Sequence, residues 1–279
     1  MNEPFRAFSF VDQITSVRDG SQIRGRYVVP SGLEDFPSSL AAEAVGQLAA
    51  WAAMKAADFE RRPVAGLAGR IDLLGTARPG QVLELTVDVE SLDAEAVIYR
   101  GFATSSGTPV IRLEDCMGPM IAVADLDDPA ALRERFAVLC GAGVAPGGFR
   151  GLPPLTLHRT EGENGLWARA TLQVPASAAI FADHFPRRPV FPGSLLMQVS
   201  LELATALAAE IPPPTPRRWK PQAVLDMKLR EFVPPGKSLE LEATLKQRTN
   251  DCATLTVGAR TAGVVVSSAR FPLAAEDGA

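Results

Sequence analysis

The sequence predicts an α+β fold built twice over, each copy a long apolar helix covered by an antiparallel sheet. Three observations predict it. Residues 38–59 and 194–210 are long apolar runs, and beyond its opening serines the first half of the earlier run carries only Glu43 and Gln47 as polar residues. A helix apolar on nearly every side must be wrapped by other structure. Residues 82–90 alternate, with Leu83, Leu85, Val87 and Val89 on one face and Glu84, Thr86, Asp88 and Glu90 on the other, which is the pattern of a half-buried antiparallel strand. The third observation is a fixed offset. Pro37 and Pro192 lie 155 residues apart, as do Glu43 and Gln198, and the turns Pro79-Gly80 and Pro235-Gly236 lie 156 apart. At that offset Leu83, Leu85 and Val87 fall on Leu239, Leu241 and Ala243, so the alternation repeats with the turns.

In chain order, residues 8–17 have mixed periodicity and read as a short helix or an opening strand. Residues 21–29 alternate through Ile23, Gly25, Tyr27 and Val29 and read as a strand. Residues 30–37 are turn-rich and lead into the first helix. Strands follow over 67–74, 82–90, 96–103 and 110–121, the second entered through Arg78-Pro79-Gly80-Gln81. Residues 127–139 read as a helix opened by Asp128-Pro129. Residues 140–151, rich in Gly and Pro, are the best linker. The second copy repeats the order: a strand over 166–174, a turn-rich connection, a helix over 194–210, a proline loop over 211–218, and three or four strands over 223–272. The expected division is an N-terminal repeat over 1–123, a linker with a helix over 124–150, and a C-terminal repeat over 151–279.

Bulk composition narrows the function classes. The chain has 279 residues, 47% hydrophobic and 22% charged, with net charge −4. That is the balance of a globular protein with a sizeable core, and nothing in it points to nucleic acid or membrane insertion. Three cysteines (Cys116, Cys140, Cys252) lack metal-ligand spacing and read as reduced thiols of a cytoplasmic protein. Residues 1–5 show no basic stretch followed by an apolar run, so no signal peptide is expected.

One of only two histidines stands in the stretch Asp183-His184-Phe185-Pro186-Arg187-Arg188-Pro189-Val190-Phe191-Pro192-Gly193. This run resembles the hotdog-fold β-hydroxyacyl-carrier-protein dehydratases of fatty-acid and polyketide synthesis. There, a His-Phe-x-Gly-x-Pro-x-x-Pro-Gly run precedes the central helix, with an acid fourteen residues after the histidine and a Gln four later. The second repeat keeps His184 but has Gln198 in the acid position, Glu202 in the Gln position and Arg187 in place of Gly. The first repeat keeps the acid as Glu43 and the Gln as Gln47, while Val29 stands where the histidine belongs and Pro37-Ser38 replaces Pro-Gly. In the family two hotdog units pair and each site takes its histidine from one unit and its acid from the other. The resemblance therefore implies a double hotdog, a fused pseudo-dimer with one complete composite site, His184 with Glu43, and one lost site, Val29 with Gln198.

What the resemblance implies chemically is removal of water from a (3R)-hydroxyacyl thioester to give a trans-2-enoyl thioester. A near-neutral imidazole suits abstraction of the C2 proton, and a carboxyl among apolar helix residues suits protonation of the departing hydroxyl. Backbone N–H groups at the start of the acid-bearing helix, Ser38 and Ser39, are expected to meet the thioester oxygen, although their hydroxyls would equally suit helix capping. Glu43 has a structural alternative as partner of a core arginine such as Arg70. Gln198 reads as a relic, Glu202 as out of register, and His158 as a surface residue.

No cofactor or metal is expected, the substrate being carried on the phosphopantetheine of an acyl carrier protein. The pairs Arg61-Arg62, Arg187-Arg188 and Arg217-Arg218 read as solvated loop residues, with Arg187 and Arg188 the candidates for docking an acidic carrier. A monomer or a homodimer fits the repeat. The competing readings are a hotdog acyl thioesterase and a non-catalytic partner subunit of a dehydratase.

Overall fold

A computed structural model describes residues 5–18, 21–211 and 217–277. The proline loop expected over 211–218 therefore lies mostly outside the described residues. Among these, the strands of the first repeat are β1 (Gln13–Arg18), β2 (Gln22–Val28), β3 (Arg61–Pro63), β4 (Leu67–Leu73), β5 (Val82–Leu92), β6 (Ala96–Ser105) and β7 (Thr108–Ala122). Those of the second are β8 (Leu157–Glu163), β9 (Trp167–Gln173), β10 (Arg217–Pro221), β11 (Ala223–Leu229), β12 (Ser238–Arg248), β13 (Cys252–Thr261) and β14 (Val264–Asp277). Helices α1 (Ser38–Ala56), α2 (Pro129–Cys140) and α3 (Gly193–Ala209) complete the fold. The order across the sheet is β1-β2-β5-β6-β7-β4-β11-β14-β13-β12-β9-β8, with β3 on β7 and β10 on β14.

Every pairing is antiparallel, and the two repeats meet where β4 pairs with β11, Ala68 opposite Met227 and Asp72 opposite Ala223. The expected alternation is visible on both sides of this seam. Leu83, Leu85 and Val87 of β5 are buried, as are Leu239, Leu241 and Ala243 of β12, each set lying against the helix of its own repeat. At the seam Asp72 is buried and gathers Arg70 (2.6 Å) and Arg112 (2.7 Å). Arg70 is thus engaged with Asp72 and not with Glu43. Residues 8–17 resolve into an irregular segment followed by β1. The first-repeat edge strand β1 and the second-repeat edge strand β8 both carry charged residues, Arg18 on one and Arg159, Glu161 and Glu163 on the other, which discourages pairing with a further sheet.

Helix α1 is rich in alanine, so sheet and helix approach closely; Leu40, Ala41, Ala44, Val45 and Leu48 are fully buried. It ends where Phe59, at φ 58°, donates its N–H to Met54 O (2.7 Å), satisfying a last-turn carbonyl. Helix α2 starts as its sequence predicts, with Asp128 Oδ1 accepting from Ala130 N (3.1 Å) and Pro129 in the first turn. Helices α1 and α3 pack against each other, and Ser39 Oγ bonds Gln198 Oε1 across that contact (3.0 Å). Among the described residues no helix is long and apolar enough to cross a membrane.

Candidate active site

A cavity of about 440 Å³ opens beside the β4–β11 seam, between the two helices. His184 and Glu43 both line it, so residues 141 positions apart in the chain face one space. Apolar walls come from Ala68 and Ile71 of β4, Leu113 and Met117 of β7, and Met227 and Leu229 of β11. Exposed Arg230 and Glu231, with Phe232, form part of its rim.

His184 sits in a tight loop before α3. Its N–H donates to Ile180 O (3.0 Å) and its carbonyl accepts from Val190 N (3.0 Å). Nδ1 lies 3.1 Å from Val190 O. A backbone carbonyl only accepts, so Nδ1 carries the hydrogen in the neutral ring and Nε2 is left with its lone pair. Burial pushes the imidazole below its ordinary value; the Glu43 carboxylate and the Val190 carbonyl oppose that shift, and the Arg62 guanidinium adds to it. The ring is consequently neutral near pH 7 and able to accept a proton at Nε2.

Glu43 projects from the second turn of α1. Its Oε1 accepts from Gln47 Nε2 at 3.0 Å, one helical turn on. The same Nε2 donates to Phe8 O (2.9 Å), while Gln47 Oε1 accepts from Phe10 N (2.8 Å). All polar capacity of that amide except one lone pair is used, which fixes its orientation as a donor toward Glu43.

Arg62 corrects the expectation of a solvated loop pair. Pairing of β3 with β7 sets Arg62 opposite Ile121, and strand alternation turns it inward while Arg61 stays exposed. Its Nη1 meets Asp127 Oδ2 at 3.1 Å, its guanidinium lies 4.4 Å from the Phe185 ring centroid, and its Nε is buried without a partner. A fixed cation thus stands in the cavity wall close to both His184 and Glu43.

The helix start that faces the cavity belongs to α3. Gly193 and Ser194 line the space, whereas Ser38 and Ser39 do not. The Ser39 hydroxyl is instead spent on Gln198. The physical reason is that the histidine loop runs directly into α3, so α3 delivers its first-turn N–H groups beside His184, and these have no intrahelical acceptor. A Cβ at Gly193 would overlap Leu229 Cδ1, and Ser194 Oγ is buried without a partner. The signal was present in the sequence as Pro192-Gly193 at the end of the histidine motif.

Val29 and Gln198, the expected second pair, do not line the cavity. Val29 is fully buried, Gln198 donates to exposed Glu202 (2.9 Å), and Glu202 does not line it either. His158 is an exposed residue of β8. Arg187 is exposed and bonds Ala124 O (2.9 Å); Arg188 is exposed and lies over the Phe232 ring at 4.7 Å, near the cavity rim. Cys116 also lines the cavity, but burial pushes its thiol up to about 12, so it is no thiolate nucleophile at neutral pH.

The chain is similar to known proteins in both sequence and fold. The ApeI-like family model, described as ApeI dehydratase, matches residues 158–269. The 3-hydroxyacyl-[acyl-carrier-protein] dehydratase FabZ of Herpetosiphon aurantiacus is 30% identical over 95 residues, 33% of this chain and 67% of that protein. The chain belongs to the hotdog dehydratase family. The FabZ of Rickettsia bellii is 35% identical over 69 residues, and the match spans about half of that relative's length, 48%, and 24% of this chain.

Solved structures extend the likeness to both repeats of this hotdog protein. A Lactobacillus plantarum protein assigned as an oleoyl thioesterase superposes with TM-score 0.60 at 9% identity, covering 93% of this chain and 98% of its own. A MaoC-like dehydratase superposes with TM-score 0.56 at 12% identity, covering 92% and 98%. At such identities the likeness shows the fold alone, two tandem hotdog repeats.

Proposed function

We propose that the protein is a 3-hydroxyacyl-[acyl-carrier-protein] dehydratase with one composite site per chain, His184 from the second repeat and Glu43 from the first. The observation that carries the reading is the shared cavity: a neutral imidazole and a carboxyl, contributed by different repeats, line one apolar-walled space. The substrate class is a (3R)-hydroxyacyl chain on an acyl carrier protein, in fatty-acid or polyketide synthesis.

His184 Nε2 takes the C2 proton, and that electron pair becomes the C2=C3 double bond as the C3–O bond breaks. Glu43 gives its proton to the departing hydroxyl, which leaves as water. Since Oε1 already accepts from Gln47, the donated proton belongs on Oε2. Charge that gathers on the thioester oxygen is met by the N–H groups of Gly193 and Ser194 at the start of α3. Arg62 favours the uncharged imidazole before reaction. Return of one proton from the imidazolium to the carboxylate resets both groups. Exposed Arg187 and Arg188 beside the rim give an acidic carrier a basic approach.

Incubation with carrier-bound 3-hydroxyacyl and saturated acyl thioesters tests the reading. Loss of water from the hydroxyacyl substrate alone supports it. Free acid from both substrates identifies a thioesterase, and inertness toward every chain length identifies a non-catalytic subunit.

A further inference from the structure

The segment ahead of β1 is stitched to both halves of the composite site. Phe5 N and Phe8 N donate to the two oxygens of Asp183, at 2.6 and 2.8 Å, and Asp183 is the chain neighbour of His184. On the other side Phe8 O and Phe10 N hold the amide of Gln47, whose remaining N–H reaches Glu43. The Phe8 ring meets the His184 imidazole edge-on at 5.6 Å between centroids. Arg135 of α2 backs the segment, donating to Phe5 O (3.1 Å) and lying over the Phe5 ring at 5.3 Å. Phe8 and Phe10 are themselves buried.

The geometry points to residues 5–10 as a strap that positions the acid and the base relative to each other, with Asp183 and Gln47 as its two anchors. This rests on the dehydratase reading for its catalytic consequence. His184 and Glu43 belong to different repeats, and productive geometry requires them to be held to within roughly 0.5 Å. The strap joins them from behind through one run of bonds: Asp183 to Phe8 N–H, Phe8 carbonyl to Gln47, Gln47 to Glu43. It also settles the direction of the last bond. An amide flip at Gln47 would set its oxygen against the Phe8 carbonyl and its NH2 against the Phe10 N–H. With the strap in place only the donor orientation toward Glu43 is satisfied, which reserves Oε2 for the proton. Without it, Asp183 keeps a buried carboxylate stripped of two donors, and Gln47 is free to present its oxygen to Glu43.

The test is a chain beginning with Met followed by Phe10, lacking residues 1–9, compared with the full chain. We expect kcat to fall at least tenfold with KM within threefold. The His184 ring resonance, identified as the histidine signal missing from a His184→Ala spectrum, should move. A peptide of residues 1–12 added in trans should restore both. A folded truncated chain with kcat within twofold and an unmoved His184 signal overturns the proposal, as does a loss of kcat that only follows the unfolded fraction. Should truncation prevent folding, Asp183→Asn in the full chain takes its place, because an amide accepts from one strap N–H and turns its own NH2 on the other; the same kcat loss and ring shift are expected, and native values of both overturn the proposal. Inactivity of the unaltered chain on every hydroxyacyl thioester sinks the dehydratase reading instead, and the ring signal then judges the strap alone.

Discussion

Glu43→Gln is the most informative single change. The amide is the same size as the carboxyl, and its oxygen can still accept the 3.0 Å bond from Gln47 Nε2, so the substitution removes a transferable proton and little else. Loss of a positioned acid or base is worth about 10²–10⁴ in turnover, or roughly 3–5 kcal/mol of barrier. His184→Ala should cost a similar factor. Because the two groups serve one bond-breaking event, the double variant should be about as slow as the worse single variant and far from the product of the two losses. Gln198→Ala, at the mirrored position, breaks bonds to Ser39 and Glu202. That costs on the order of 1 kcal/mol of stability and should leave turnover within about threefold. The assay is the rise of enoyl-thioester absorbance from a 3-hydroxyacyl thioester. Equal damage from Gln198→Ala and Glu43→Gln would refute the single-site reasoning, and so would losses that multiply in the double variant, since they would place the two groups in separate events.

Three further outcomes follow from the geometry. Burial holds His184 below the ordinary imidazole value, so an NMR titration should place the native midpoint under about 6.5; a midpoint at or above that value overturns the buried, neutral base. The same depression means that, as pH falls below about 6.5, the unfolded chain takes up a proton the native ring resists, and this part of stability is lost. Gly193→Ala, whose Cβ would overlap only the tip of the Leu229 side chain, should turn that side chain within the cavity and raise KM with kcat within about threefold, and adding Leu229→Ala should restore KM; a fall in kcat with KM unchanged overturns this. Asp12 is buried with its pKa raised to about 6, so the native state holds this proton between roughly pH 4 and 6 where the unfolded state has released it, and stability falls with rising pH across that window. Asp12→Asn should therefore raise the melting temperature at pH 7.5, by up to about 3 kcal/mol in stability, with no gain below pH 4, as thermal melts at the two pH values will show.

Much of the fold was legible because the same arrangement is written twice. The offset linking Leu83, Leu85 and Val87 to Leu239, Leu241 and Ala243 carries a burial pattern, and burial is what periodicity encodes. Strand β8 was not legible: an edge strand exposed along almost its whole length has no apolar face to alternate. Arg62 misled for a related reason. Its inward turn is set by pairing with β7, a partner far along the chain, while its immediate neighbours Arg61 and Pro63 suggest a loop. That His184 and Glu43 would face one cavity, as they do, was implied by the likeness of the histidine run, and of its partial copy around Glu43, to the dehydratase family. Which helix start faces them was misread as Ser38-Ser39, although Pro192-Gly193, which continues the histidine run straight into α3, carried the signal. The strap was invisible for the plainest reason: its bonds run from irregular backbone to Asp183 and Gln47, and irregular backbone leaves no period in a sequence.

The β4–β11 seam has a consequence for how such a protein can change. When two identical subunits meet across a seam, any substitution appears on both sides, and a change that empties one site empties the other. Here the two sides are stretches of a single chain, so each is free to drift alone. Val29, fully buried, and Gln198, bonded to Ser39, are on the single-site reading positions free to serve packing while His184 and Glu43 serve chemistry. On the single-site reading, a tight mechanism-based label should saturate at one equivalent per chain, where a symmetric pair of the same mass would take two.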